Sequence, residues 1–304
     1  MTNIRPLHPI DVGTRVCAVF GDPVEHSLSP LVHNAAYREL GLDIVYVAHR
    51  VTDIASAIAG VRAQGNYLGV SITIPHKVAV MAFLDEIGEL ARRIGAVNTV
   101  TRTPEGRLLG TNTDGLGALR ALRDAGADPG GRKIVVFGSG GAARAVAFAL
   151  ALEGRASAVY FLIREADQAE AARLVSELSE CVPARFDVLT DRSAEAAMSE
   201  AEIVVQTTPL GMHPHVQQTP LDGRFFEAHH TVMDVVYNPL ETRFLREARA
   251  RGCHTVNGIE MFLFQAGAQI ETWTCAKAPI GLMRSVLLER LQSSQLGAAP
   301  PHGP

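Results

Sequence analysis

The chain has 304 residues, of which 47% are hydrophobic and 20% are charged, and its formal net charge is −4. This length fits one large domain or two ordinary ones, and we favour two. The weak net charge excludes an electrostatic footprint for nucleic acid, and no apolar run approaches the roughly 18 residues of a membrane helix. No secretory h-region and no paired-cysteine motif is seen, which predicts a cytoplasmic protein with reduced thiols and no metal site.

The first third of the chain alternates between strand and helix patterns. A β-branched and aromatic run over 15–21 predicts a strand, and apolar residues at helical spacing over 30–40 predict a helix. Further strands are predicted at 43–51 and 68–75, and further helices at 52–63 and 79–95, before the segment 96–103. Strands that alternate with helices in this way favour a mostly parallel sheet covered on both faces.

A second α/β series begins near residue 114. It opens with a predicted helix over 115–126, a turn at ADPGG and a strand over 133–138. Later strands are predicted at 157–163, 202–208 and 231–237, and later helices at 242–252, 260–273 and 281–291. No strand follows the last two helices, so we expect them to pack on the first domain, and the tail 297–304 is predicted to be disordered.

The predicted fold class is therefore α/β with two domains. Residues 1–113, completed by helices within 258–304, would form an N-terminal α/β substrate domain with a mostly parallel sheet. Residues 114–257 would form a Rossmann-type dinucleotide-binding domain. We expect the active site in the cleft between these domains.

A glycine-rich turn follows the strand at 133–138 and opens a helix. Gly138, Gly140 and Ala143 have the G-x-G-x-x-A spacing of a dinucleotide-binding turn. Glycine allows a tight turn and a close approach of the backbone, and the helix N-terminus offers N–H groups to a pyrophosphate. A tight turn without a ligand is the alternative, and the strand–helix context favours binding.

The next predicted strand ends in Ile163, Arg164 and Glu165, where such a domain would meet the adenine ribose. An acidic side chain here accepts from the ribose hydroxyls of NAD, whereas an arginine holds the 2′-phosphate of NADP. Both residue types are present, so these residues alone leave the cofactor open. Two solvated loop charges are the alternative reading.

Four polar strings lie at the ends of predicted strands in the first half of the chain, within 21–30, 71–77, 96–100 and 111–115. Ligands bind outside the carboxyl ends of strands in an open α/β sheet, so these groups would converge on one cleft. Hydroxyl, amide, ammonium and carboxylate groups of this kind suit a small acid with several hydroxyls. Helix caps, turn formers and surface charges are the alternatives for each residue taken singly.

The same strings resemble the shikimate dehydrogenase family over about residues 15–291. HSLSPLVHNAAY is similar to the family's shikimate-binding loop, TIPHK to the segment with its catalytic lysine, and AVNT and NTDG to its substrate-binding motifs. GSGGAARA is similar to its nucleotide turn. TTPLGM, DVVYNPLETRFL and NGIEMFLFQAG are similar to its later segments.

The resemblance implies a role for each matching residue. Lys77 would be the acid/base group, with Asp114 as its catalytic partner. The implied substrate-binding residues are Ser27, Ser29, Thr73, Asn98, Tyr237 and Gln265. The implied cofactor-binding residues are Gly138, Ser139, Gly140, Gly141, Ala142, Arg164, Glu165, Thr207 and Gly258.

Five positions depart from the family's pattern, and two of them are Ile163 and Glu165, which replace the family's asparagine and threonine on either side of Arg164. The usual asparagine is Ser71, the usual aromatic residue before NTDG is Thr111, and an expected basic residue is Gln168. Ser71 and Thr111 bear on substrate specificity, and Gln168 bears on the choice between NADP and NAD. The sequence therefore supports the type of reaction better than it supports the choice of substrate or the choice of cofactor.

The resemblance implies reversible reduction of 3-dehydroshikimate to shikimate with NADP, or with NAD as the alternative cofactor. A quinate or dual quinate/shikimate dehydrogenase is the nearest rival, because it would share every motif. A non-catalytic dinucleotide or metabolite sensor is a rival of another class, against which Lys77 and Asp114 argue. A related amino-acid-ring or folate-type dehydrogenase is a third alternative. The expected partners are the small-molecule substrate and cofactor, with no nucleic acid or membrane, and a homodimer is left open.

Overall fold

The computed structural model describes residues 9–295. Backbone contacts divide them into two compact units. Unit 1 contains residues 9–88, 96–111 and 266–295, and unit 2 contains residues 89–95 and 112–265. No helix in the described part of the chain is long and apolar enough to cross a membrane. The predicted disorder over 297–304 lies outside the described residues.

Unit 1 is built on a six-stranded sheet with the strand order β2-β1-β3-β5-β6-β4. Its strands are β1 (Arg15–Gly21), β2 (Ile44–Arg50), β3 (Tyr67–Ile72), β4 (Glu86–Ile87), β5 (Thr99–Arg102) and β6 (Leu108–Thr111). Its helices are α1 (Ser29–Glu39), α2 (Ile54–Ala63) and α10 (Ile280–Gln295), together with the second half of α9 (Gly258–Thr274). Strands β1, β2 and β3 are parallel, whereas β5 is antiparallel to both β3 and β6.

The predicted continuous helix over 79–95 is wrong. A 3-10 turn at Ala79–Phe83 is followed by β4, and only then by α3 (Glu89–Ile94), which belongs to unit 2. The Asp85 N–H donates to the Leu108 carbonyl, and the Asp85 carboxylate accepts from the Leu108 N–H. These bonds to a distant strand pull residues 84–88 out of the helical conformation, because they satisfy the backbone groups in another way.

Unit 2 contains a six-stranded sheet with the order β12-β11-β10-β7-β8-β9, and all its pairings are parallel. Its strands are β7 (Lys133–Phe137), β8 (Ala158–Ile163), β9 (Ala184–Val188), β10 (Ile203–Gln206), β11 (Thr231–Asp234) and β12 (His254–Val256). Its other helices are α4 (Asp114–Asp124), α5 (Gly141–Leu152), α6 (Gln168–Leu178), α7 (Asp191–Met198) and α8 (Arg243–Ala250). The chain starts at the centre with β7 and winds outward in both directions, which is the Rossmann arrangement.

The predicted α/β fold with two mostly parallel sheets is confirmed. The boundaries of the units differ from the predicted domains at three places, the smallest of which is residues 112 and 113, which lie in unit 2 rather than in the N-terminal domain. Residues 89–95 lie in unit 2 rather than with the N-terminal segment, and residues 258–265 lie in unit 2 rather than with the C-terminal helices. Gln265 is therefore grouped with Asp114 in unit 2, whereas Lys77 and Asn98 are in unit 1.

Candidate active site

One edge of the unit 1 sheet gathers several of the predicted polar residues. The loops after β1 and β3 leave this edge, and β5 begins there because it runs antiparallel to β3, with Thr99 opposite Ser71. A Cβ atom on Gly21, the last residue of β1, would lie only 2.3 Å from Thr73 Cγ2. The edge therefore brings together Ser27 and Ser29 after β1, Thr73 and Lys77 after β3, and Asn98 before β5.

The loop that carries Lys77 is anchored at both ends. The Thr73 N–H donates to the Phe20 carbonyl over 2.9 Å, and the Lys77 carbonyl accepts from the Val97 N–H over 2.8 Å. Between them, the buried His76 ring donates from Nε2 to the Val51 carbonyl over 2.7 Å. These hydrogen bonds hold in place the backbone that carries the half-buried Lys77 side chain. Sequence reasoning missed the anchoring role of His76.

The serine loop is held from beneath by a histidine. Ser29 is the first residue of α1, and its N–H donates to Ser27 Oγ over 3.3 Å. The fully buried His33 donates from Nδ1 to the Ser29 carbonyl over 2.9 Å. Burial lowers the pKa of His33 to about 4, so its ring is neutral near pH 7. This loop presents two hydroxyl groups without placing a buried charge beside them.

Unit 2 contains the predicted nucleotide turn in the expected geometry. Gly138 has a φ of +100°, and a Cβ atom there would lie 2.9 Å from Thr208 Cγ2, so a larger residue is strained. At Gly140 and Gly141, in contrast, an added Cβ atom meets nothing within 4 Å. Gly140 is the N-cap of the twelve-residue helix α5, and Gly141 is its first residue. Bare backbone at a helix N-terminus suits a dinucleotide pyrophosphate.

The turn lies where the order of the unit 2 sheet reverses, between β7 and β10. Thr207, just after β10, donates from Oγ1 to the carbonyl of Phe137 at the end of β7 over 2.6 Å. Gly138 and Thr207 are thus neighbours at the switch point, where ligands bind in open α/β sheets. Ser139 is buried, and Ala142 is half-buried at the start of α5.

Arg164 at the end of β8 is engaged in an ion pair that sequence reasoning missed. Its guanidinium binds both oxygens of the Asp167 carboxylate, with distances of 2.8 and 2.9 Å. This pairing lowers the pKa of Asp167 and raises that of Arg164. The i, i+3 spacing of the two residues was the available signal. Glu165 and Gln168 are exposed beside them.

The remaining predicted residues also lie in unit 2. Asp114 is the first residue of α4, and its N–H donates to Asn112 Oδ1 over 3.0 Å. Gly117 lets α4 approach α9, because a Cβ atom there would lie 2.9 Å from Gln265 Cβ. Tyr237 packs on Phe262, with 5.7 Å between the ring centroids, and burial raises the pKa of its hydroxyl. Gly258 packs directly on the backbone of residues 235 and 236, so its glycine is required structurally.

Arg144, in the helix that follows the nucleotide turn, has a role that sequence reasoning did not assign. Its guanidinium donates to the carbonyls of Arg93 and Ile94 at the end of α3 and pairs with Glu177. The positive charge of Arg144 therefore interacts with groups of unit 2 itself. These contacts join three segments that are distant in sequence, so no local pattern could reveal them.

Asp234 gives unit 2 a pH-dependent stability. The carboxylate is fully buried and accepts from Thr242 Oγ1 and the Val236 N–H, yet burial raises its pKa to about 7. Between the usual value of 3.8 and pH 7, the folded state keeps a proton that the unfolded state releases. The free energy of unfolding should therefore fall as the pH rises through this window, by up to about 4 kcal/mol.

Urea unfolding of the wild type and of Asp234→Asn between pH 4.5 and 8 tests this expectation. The difference in stability between them should shift in favour of the variant as the pH rises. His33 contributes the opposite slope, because its pKa is lowered, but it is present in both proteins and cancels in the difference. A difference that is constant across the range would contradict the raised pKa.

Comparisons with known proteins agree over nearly the whole chain. The family model for the shikimate dehydrogenase substrate binding domain matches residues 19–100. A shikimate dehydrogenase (NADP(+)) of Moorella thermoacetica is 43% identical over 293 residues, which cover 95% of this chain and 98% of the relative. Among solved structures, shikimate 5-dehydrogenase from Listeria monocytogenes, in complex with shikimate and NAD, gives a TM-score of 0.88 at 34% identity, covering 92% of this chain and 98% of that chain.

A second solved structure is quinate dehydrogenase from Corynebacterium glutamicum in complex with NAD. It gives a TM-score of 0.82 at 30% identity, and the match covers 91% of this chain and 99% of that chain. Proteins with either substrate name and either cofactor thus share this fold at similar identity. The fold alone does not discriminate between them.

Proposed function

The chain belongs to the shikimate dehydrogenase family, and on that premise we propose that it is an NADP-dependent oxidoreductase that interconverts 3-dehydroshikimate and shikimate in chorismate biosynthesis. The observation that supports this proposal is the edge of the unit 1 sheet, where the segments that carry Ser27, Ser29, Thr73, Lys77 and Asn98 enter or leave the strands. Hydroxyl and amide groups beside one lysine match a small polyhydroxylated acid with a reacting carbonyl. These residues lie within the segments of the chain that resemble the family's motifs.

Each group at this edge has a chemical task in the proposal. Ser27 and Ser29 bind the substrate carboxylate, and Thr73 and Asn98 contact ring hydroxyls. Lys77 donates a proton to the carbonyl oxygen as that oxygen gains negative charge, and it takes the proton back in the reverse direction. Asp114 is proposed as the catalytic partner of Lys77, with Tyr237 and Gln265 as further substrate-binding residues of unit 2.

The nucleotide turn of unit 2 fits the proposed cofactor. Gly138, Gly140 and Gly141 leave the N-terminus of α5 bare, and Ser139, Ala142 and Thr207 complete the proposed binding residues with Gly258. When bound, the nicotinamide supplies the hydride. The residues around the turn bind and orient the dinucleotide.

Arg164 is the residue that favours NADP over NAD, and Asp167 limits that preference. The ion pair with Asp167 competes with a 2′-phosphate for the same guanidinium, and Glu165 adds a further negative charge. Each exposed charge is worth on the order of 1 kcal/mol, so we expect less than about a hundredfold discrimination between the cofactors. Asp167→Asn and Glu165→Thr should each shift preference toward NADP, and Arg164→Ala toward NAD.

Catalytic efficiency with each cofactor at fixed salt checks this expectation. Asp128→Asn is the matched control, because Asp128 forms another exposed ion pair in unit 2, with Arg123 over 2.9 Å. The control should leave the cofactor ratio unchanged. An unchanged ratio in the Arg164 and Asp167 variants would mean that this end of β8 does not read the ribose.

A spectrophotometric screen of shikimate and quinate, each with NADP and NAD, tests the function itself. We expect shikimate to be the better substrate, since the residues that match the family's shikimate contacts are present, with departures at Ser71 and Thr111. A higher efficiency with quinate would favour the quinate dehydrogenase alternative. Cofactor binding without turnover of either acid would favour a sensor. The cytoplasmic location stays a prediction.

A further inference from the structure

A buried chain of hydrogen bonds crosses unit 1 from β2 to Asn98. The Tyr46 hydroxyl donates to Ser71 Oγ over 2.6 Å, and Ser71 Oγ donates to Gln269 Oε1 over 2.9 Å. Gln269 Nε2 donates to Thr99 Oγ1 over 3.0 Å, and Thr99 Oγ1 donates to Asn98 Oδ1 over 2.8 Å. All five side chains belong to residues that are 0–6% exposed. We call these five residues the polar relay.

The direction of the polar relay is fixed at Gln269. Its Nε2 group also lies 3.5 Å from the Asn98 backbone carbonyl, which can only accept. The amide of Gln269 therefore turns its nitrogen toward Asn98 and Thr99 and its oxygen toward Ser71. Ser71 must then donate to Gln269 and accept from Tyr46. At the other end, Thr99 accepts from Gln269 Nε2 and donates to Asn98 Oδ1.

The far end of the relay is also held in place. The Tyr46 ring stacks on His33, with 4.1 Å between the centroids, and His33 donates to the Ser29 carbonyl. Burial raises the pKa of Tyr46, so its hydroxyl remains a donor across the working pH range. The relay thus connects the serine loop, β3, α9 and the start of β5 within unit 1.

We propose that the polar relay sets the orientation of the Asn98 carboxamide, with Gln269 and Thr99 acting as positioning residues. Thr99 donates to the Asn98 oxygen, which fixes the side of the carboxamide on which the nitrogen lies, and in the proposal that nitrogen donates to a substrate hydroxyl oxygen. This inference rests on the proposed function for the identity of that acceptor. It also gives Ser71 a role in the relay, where its hydroxyl is used in two hydrogen bonds.

The relay explains how a departure from the family's pattern is accommodated. From the sequence alone, Ser71 stands where the family has an asparagine and bears on substrate specificity. In the structure its hydroxyl is shared between Tyr46 and Gln269, and Ser71 is only 6% exposed. Its effect on specificity would therefore pass through Gln269 and Asn98.

Thr99→Val tests the last link of the relay, because it removes the hydroxyl and keeps the shape. We expect the KM for shikimate to rise by about threefold to tenfold, as for one lost hydrogen bond. The kcat and the KM for NADP should stay within about twofold of the wild type, a range well below that loss. In an Asn98→Ala background, the same substitution should have no further effect on the KM for shikimate, because in the proposal Thr99 affects substrate binding through Asn98.

Thr101→Val is the matched control, since Thr101 lies on the same strand and its buried hydroxyl has no hydrogen-bond partner among the described residues. It should leave the KM for shikimate unchanged. An independent readout is the NMR signal of the Asn98 carboxamide in protein labelled with ¹⁵N-asparagine, identified by its loss in Asn98→Ala. That signal should shift in Thr99→Val and Gln269→Leu and should not shift in Thr101→Val.

The outcomes separate the relay from the proposed function. An equal rise in KM in both backgrounds, or an Asn98 signal that is unaffected by Thr99→Val, would overturn the relay. If the wild type does not oxidise shikimate, the proposed function fails, and the NMR comparison alone then decides whether the relay orients Asn98.

Discussion

Lys77→Ala should lower the kcat for shikimate oxidation by about 10²–10⁴-fold, because it removes the proposed proton donor and acceptor. The protein should remain folded, since the loop around Lys77 is anchored by backbone bonds of Thr73 and Lys77 and by the His76 ring. Shikimate affinity should stay within about tenfold of the wild type, because a single ground-state hydrogen bond is lost. Steady-state kinetics and calorimetric binding measure the two effects separately.

Two further variants make the result specific. Lys277→Ala removes an exposed lysine of the same unit and should leave turnover unchanged. Lys77→Arg keeps the positive charge, but a guanidinium has a much higher pKa than an ammonium group and does not release its proton, so it should restore little of the kcat. A purified Lys77→Ala protein that kept more than about a tenth of wild-type turnover would show that Lys77 is not the acid/base group, given the expected loss.

Gly140→Val should strongly weaken cofactor binding while the fold persists. Gly140 has a φ of −71°, and an added Cβ atom there meets nothing within 4 Å, so the protein tolerates a side chain. That open space is where a pyrophosphate would reach the N-terminus of α5. Losing two charge-assisted hydrogen bonds at about 1.5 kcal/mol or more each weakens binding by on the order of a hundredfold.

Two other glycine variants serve as comparisons for Gly140→Val. Gly281→Val also enters open space, but in unit 1, and should affect neither stability nor cofactor affinity. Gly138→Val should instead destabilise unit 2, because Gly138 has a positive φ and Thr208 lies in the way. Fluorescence titration with NADPH and thermal unfolding distinguish the cases. Wild-type cofactor affinity in folded Gly140→Val would argue against this turn as the pyrophosphate site.

Most of the longer elements could be predicted from the sequence, and the short ones could not. The strand at 15–21 and the helix over 115–126 have strong local patterns and were found within a few residues of β1 and α4. The two-residue strand β4 was missed, because bonds from residues 85 and 88 to β6 stabilise it. A helical spacing of apolar residues cannot reveal a partner that lies some twenty residues away in the chain.

In the candidate site too, residues within continuous motifs could be identified from the sequence, whereas a residue that depends on distant partners could not. Gly138 and the residues of the TIPHK loop were identified because their motifs are continuous in sequence and follow a strand. Gln269 was missed, although it lies four residues after Gln265 on α9 and so on a neighbouring position of the helix surface. Its partners are Ser71 and Thr99, far away in the chain.

The sequence by itself determined the family, the fold class and the identity of the candidate site residues. Local patterns indicate these properties: the periodicity of strands, the glycines of turns and the motifs of short loops, each formed by residues that are close together in the sequence. Only the tertiary structure decided the environment of each group. Burial raises the pKa of Asp234, Asp167 forms an ion pair with Arg164, and the polar relay orients Asn98. Such effects depend on desolvation and on the direction of hydrogen bonds between distant segments, which only the folded chain brings into contact.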